Sequence, residues 1–131
     1  MSSDAPLLSN LNVWENMALT KQYHQNFSKE DAKKLALQYL RRLNLETIAN
    51  TRNPDLREEE RFCGLLLRAA MVNDAVILIY KPFKLLPAMK DSTFIHNILI
   101  NIGDLYTQCY IFDYTGNKNR YRVNDAEEYC V

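Results

Sequence analysis

Hydrophobic positions fall into two regimes: helical spacing in the first half of the chain, short apolar runs in the second. The clearest periodic segment is FSKEDAKKLALQYLRRL, where Ala32, Leu35, Ala36, Tyr39, Leu40 and Leu43 recur at helical spacing opposite a Lys and Arg face. Ser28 stands where an N-cap is needed, and Asp31 follows three residues on in capping-box fashion. Phe27 is placed to staple against the first turn. Upstream, Asn10 or Asn12 caps a shorter helix carrying Val13, Trp14, Met17 and Ala18. Beyond the break at Pro54-Asp55, LREEERFCGLLLRAAMVND is apolar at Leu56, Phe62, Cys63, Leu66, Ala69 and Ala70, which predicts a long amphipathic helix.

The second regime begins with VILIY at residues 76–80. Val76, Ile77 and Ile79 are β-branched and no polar residue alternates with them, so a strand buried on both faces is expected. DSTFIHNILINIGDLY reads as another helix, capped by Asp91 or Ser92 and with Gly103 near its end. QCYIFDY and RYRV flank TGNKN, the signal of a strand, a turn and a second strand. The order of elements predicts one α/β domain over residues 1–131. A helical subdomain occupies about 5–74, and a partial α/β core occupies about 75–131 and closes on a C-terminal strand hairpin. At least one strand should have a parallel neighbour.

Composition narrows the function classes. Sixteen Lys and Arg balance sixteen Asp and Glu, so no global field draws in nucleic acid or an anionic membrane. Only three glycines occur, which argues against Gly-rich loops that cradle phosphate. Cys63, Cys109 and Cys130 are odd in number and form no CxxC pair, so a disulfide framework and a zinc site are both disfavoured. The first residues show no basic n-region. The apolar runs fall short of the roughly 20 residues a spanning helix needs. A soluble cytoplasmic protein without direct membrane insertion is expected.

Two stretches carry a resemblance. LLSNLNVWENMAL (7–19) is similar to a segment that follows the glutamine loop in ABC-transporter ATPase domains. LRRLNLETIANTRNPDLREEERFCGLLLRAAMVNDAVILIYKPF (40–83) resembles that family's signature helix and the following Walker B strand. The matching frame includes Leu43, Leu45, Ala49, Pro54, Leu56, Glu60, Arg61, Leu66, Arg68, Ala69, Asn73-Asp74 and Pro82-Phe83. The resemblance covers residues 5 to 85 in one register and continues more loosely to 114. It implies the second half of a P-loop-NTPase-like, ABC-ATPase-like α/β domain, with the helical subdomain followed by a few strands.

The departures fall on the chemistry. No GxxxxGK[ST] phosphate loop occurs in the chain. In the family's LSGGE motif, glycines let backbone amides approach a γ-phosphate at a helix N-terminus; here the motif reads LREEE, with Arg57 in place of the serine and Glu58 and Glu59 in place of the glycines. Each carboxylate at about 4 Å from a phosphate charge costs on the order of 1 kcal/mol in water and about 4 at an effective dielectric near 20. Tyr80 and Lys81 replace the family's magnesium-binding Asp and general-base Glu. A phenol is a poor Mg²⁺ ligand, and an ammonium neither takes a proton from water nor tolerates the metal. By spacing, Asp113 or Tyr114 stands where the switch histidine would be, while the C-terminal segment also resembles later strands of the family. Bound ATP and Mg²⁺ are therefore not expected, and no catalytic, cofactor or metal residue is assigned.

Each remaining feature has a plain reading beside a functional one. Glu58, Glu59 and Glu60 suit the first turn of a helix through its dipole, or form a carboxylate cluster. His24 and His96 lack an i, i+4 partner. Cys63 lies on an apolar helical face. Lys81 can serve as a point charge for an anion. Leu7, Leu8, Asn10, Val13 and Trp14 either cover the helical core or, as the resemblance implies, line the groove that receives a coupling helix from a membrane subunit. The expected role is non-catalytic: binding of an ABC permease, an ATPase subunit or a second copy. The alternative is a nucleotide-binding subunit whose site another chain completes.

Overall fold

The computed structural model describes residues 1–121. Five segments build the helical part: α1 (Val13–His24), α2 (Lys29–Arg42), two short 3-10 turns (Glu46–Ile48 and Asn53–Asp55) and α3 (Glu58–Ala70). Then follow β1 (Val76–Tyr80), α4 (Pro82–Leu85), α5 (Thr93–Asn101), β2 (Gln108–Phe112) and a 3-10 helix over Thr115–Arg120.

Local chemistry sets the helix starts. Asn12, rather than Asn10, caps α1: its side chain accepts from Glu15 N–H at 2.9 Å, and the Glu15 carboxylate accepts from Asn12 N–H at 3.1 Å. This reciprocal pair satisfies two amides that a helix start leaves orphaned. Ser28 Oγ accepts from Asp31 N–H and caps α2, as its position predicts. Phe27 is partly exposed, and Lys21 Nζ lies 5.6 Å from its ring centroid. Glu60 reaches back to Arg57 N–H at 2.9 Å and closes the first turn of α3.

Two long helices, α2 and α3, pack against α1, and α3 also packs under β1. Ala32, Ala36 and Leu40 form the buried stripe of α2, which lets α1 approach closely. α3 is buried along most of its length, from Phe62 to Leu67 and again at Ala70. Each large side chain there contributes about 1.5–3 kcal/mol of transfer free energy. Gly64 lies at a close approach: a Cβ added there would meet Leu7 Cδ1 at 3.2 Å, so the leucine side chain would have to shift.

β1 and β2 pair in parallel, Val76 opposite Gln108 through Tyr80 opposite Phe112, with α4 and α5 in the crossover. This bears out the expected parallel neighbour. On the edge of β1 away from β2, Tyr80 N–H donates to the Met1 carbonyl at 3.0 Å, and the Met1 amino group donates to Leu78 O.

Two expectations need correction. β1 is buried on one face only: Ile77 and Ile79 are sealed against the helices, while Val76, Leu78 and Tyr80 are about half exposed. An apolar strand is covered on both faces only if a second layer packs on it, and none does so among the described residues. The turn expected at the start of the C-terminal hairpin takes another form. Thr115–Arg120 winds a 3-10 helix instead of a tight turn, and Arg120 is tied back through its carbonyl to Ser92 N–H and through its guanidinium to the Met89 and Lys90 carbonyls. Arg122 and Val123 of the expected second strand lie outside the described residues, as does Cys130.

Candidate functional site

Tyr80 and Lys81 stand at the C-terminal end of β1. Lys81 follows the strand in the left-handed backbone region (φ 50°, ψ 62°) and serves as the N-cap residue of α4. Its N–H donates to the Phe112 carbonyl at 2.7 Å, so this turn is bound to the end of β2. The left-handed geometry swings the side chain back over aromatic faces: Lys81 Nζ lies 4.3 Å from the Tyr114 ring centroid and 4.7 Å from that of Tyr80. Lys84 Nζ lies 6.0 Å from the Tyr114 ring.

These contacts define the chemistry. The Tyr114 hydroxyl, and then that of Tyr80, hold the Lys81 ammonium well above the usual lysine range. Lys81 in turn lowers the Tyr114 hydroxyl. An ammonium favoured in its charged form is the reverse of a general base, and it repels a divalent cation at the strand end. Asp113 is engaged elsewhere. Its carboxylate accepts from the Tyr121 hydroxyl, at 2.6 Å, and from Asn117 Nδ2 and Tyr114 N–H.

At the start of α3, Arg57 is exposed and pairs with Glu60 at 3.4 Å. The Arg57 amide, followed by its guanidinium, holds the Glu60 carboxyl below the usual range. Glu58 is half-buried and Glu59 exposed. This is the arrangement of a helix first turn carrying its own carboxylates. Cys63, one turn on, is buried, and desolvation pushes its thiol up to about 12, which makes it an inert core thiol.

The N-terminal segment divides. Leu7, Val13 and Trp14 are only 2%, 1% and 5% exposed, so they belong to the core and offer no partner surface. Leu8 and Asn10 are exposed. The segment is held by buried Asn16, which accepts from Leu8 N–H at 2.8 Å and donates to the Leu8, Leu11 and Asn12 carbonyls. Nothing in the spacing of LLSNLNVWENMAL announced Asn16 as the organiser of this loop.

The sequence also missed the outer face of the sheet. Val76, Leu78 and Tyr80 align in register with Gln108, Tyr110 and Phe112, and Tyr114 flanks them at the Lys81 end. All except Gln108 are large apolar or aromatic residues with substantial exposure. The signal was present as two adjoining runs, VILIY and QCYIF, but only a three-dimensional register shows that their outward residues meet. A shallow depression of about 360 Å³ opens elsewhere, beside Met1, Asn16, Arg68 and Val72. Arg68 there is already spent on the Pro6 and Ala5 carbonyls.

With this geometry established, comparison with solved structures becomes informative. The chain superimposes on a structure described as a metal-chelate type ABC transporter in an inward-facing conformation, with a TM-score of 0.62 and 20% identity. The fold is a partial ABC-ATPase-like α/β fold. The match takes in 84% of this chain and 45% of the other, so the chain spans less than half of that neighbour's length. No family model matches the sequence, and no curated protein matches it. Among the described residues, no helix is long and apolar enough to cross a membrane.

Proposed function

We propose that this protein is a non-catalytic relative of ABC ATPases, corresponding to the C-terminal half of such a domain, and that it works by binding another protein. The observation that carries this reading is Lys81, held as a cation between Tyr80 and Tyr114 at the strand end where hydrolysis would need a carboxylate base and a carboxylate metal ligand. Carboxylates at the start of α3, in place of amide-presenting glycines, add a second reason not to bind a triphosphate. The partner is a component of a transport system or a second copy, met in the cytoplasm or at the inner face of the membrane through that partner.

The test is thermal unfolding with and without millimolar ATP and Mg²⁺. Ligand binding to the folded state at one hundred times its dissociation constant adds about 2.7 kcal/mol of stability, so an occupied site is readily seen. The expected result is an unchanged melting temperature. A Mg²⁺-dependent rise would sink the reading. The alternative reading is a nucleotide site completed by another chain. An ATP-dependent shift that needs an added ATPase subunit would support it.

A further inference from the structure

We infer that the outer face of the β1–β2 sheet is a self-association surface, on which a second copy of this chain stacks with its strands running antiparallel. The inference rests on the binding reading above and names the partner. Two observations carry it: the exposed area of the face and the charges at its two ends.

Val76, Leu78, Tyr80, Tyr110, Phe112 and Tyr114 are 54%, 49%, 47%, 40%, 43% and 51% exposed. Large side chains carry about 150–250 Å² each, so these six present roughly 500–600 Å² of contiguous, mostly apolar surface. That is at the upper end of what a monomer ordinarily shows to water, about 300–600 Å². Two such faces stacked together could bury at most roughly 1,000–1,200 Å² from these residues, a ceiling that lies near the roughly 1,000 Å² that specific association requires. Sheet faces pack on one another at about 10 Å with their strands nearly aligned, and the face is rich in the tyrosines that dominate such contacts.

Charge then chooses the direction. Lys81 and Lys84 lie at the C-terminal end of β1, and exposed Asp74 lies just before its N-terminal end. A five-residue strand, about 17 Å long, separates the two. Stacking two copies with parallel strands would set lysines against lysines. Antiparallel stacking about a two-fold axis sets the lysine end of each copy against Asp74 of the other, twice by symmetry.

The full chain tests this by sedimentation velocity and light scattering from about 1 to 200 µM. The expected species has twice the 15.3 kDa mass of the chain. Leu78→Lys should raise the dissociation constant at least about 30-fold, the effect of losing one central contact of 2 kcal/mol. Asp74→Lys alone and Lys84→Asp alone should each weaken the dimer, and the double exchange Asp74→Lys/Lys84→Asp should restore it. Those two positions are exposed, so the exchange remains readable even if Leu78→Lys fails to fold, a failure that circular dichroism would reveal. A wild-type monomer at 200 µM would overturn the inference. So would a dimer that a folded Leu78→Lys chain keeps, or one whose strength the two single charge changes do not alter. None of these outcomes touches the ATP measurement, so the two readings fail separately.

Discussion

Lys81 shows how one side chain can redirect a strand end. Its left-handed backbone would cost a β-branched residue dearly, and Lys accepts it because its N–H is bound to the Phe112 carbonyl and its ammonium rests on two aromatic rings. Tyr80 and Lys81 were legible in the sequence as an unusual polar pair closing an apolar strand. Their mutual packing was not, because Tyr114 arrives from more than thirty residues away. Residue-scale electrostatics also gives a pH prediction. Arg42 grips the Asp104 carboxylate with both terminal nitrogens, one of them at 2.9 Å, and donates to the Asn101 carbonyl. The hydrogen bond from Arg42 lowers the Asp104 pKa below its ordinary value. A depressed carboxylate pKa stabilises the fold above the unfolded value, about 4, and that contribution fades as pH falls through the folded value. The melting temperatures of wild type and Asp104→Asn should therefore differ most at neutral pH and converge below pH 4. A gap that stays constant with pH would show that the pair adds nothing.

At the scale of elements, the helices were read well because their period, caps and breaks agree. α2 and α3 begin beside the predicted signals, and Ser92 takes the N-cap position of α5, where Asp91 or Ser92 was expected. Elements whose state depends on what covers them were read less well. VILIY is apolar at every position, so sequence alone could not say that the described residues leave one of its faces uncovered. TGNKN carries turn residues equally suited to a 3-10 helix, and the choice was made by the anchoring of Arg120 to the start of α5. The loop before α1 is held by Asn16, whose side chain makes four hydrogen bonds to backbone groups of residues 8–12. Asn16→Ala should destabilise the fold by about 2–3 kcal/mol, since a buried amide or carbonyl left without a partner keeps its desolvation cost. Chemical denaturation would measure it, and a change within 0.5 kcal/mol of zero would mean water replaces the side chain.

The whole molecule has one continuous core, running from Leu7 and Trp14 through α3 to Ile77, Ile79 and Ile102. What it lacks among the described residues is a layer over the outer sheet face, and that asymmetry was invisible to periodicity. A shared core predicts that the helical and α/β parts unfold together rather than as separate units. One feature makes this easy to check. Trp14 is the single tryptophan in the chain, buried between helices with Lys33 Nζ 5.2 Å from its ring centroid. Its emission is thus an optical probe confined to the helical part, with a cation fixed beside the indole to tune its colour. Set against NMR amide signals from Ile77 and Ile79, that emission should give the same urea midpoint. Separate midpoints would instead divide the chain into two independently melting halves, with the lone indole reporting only the first.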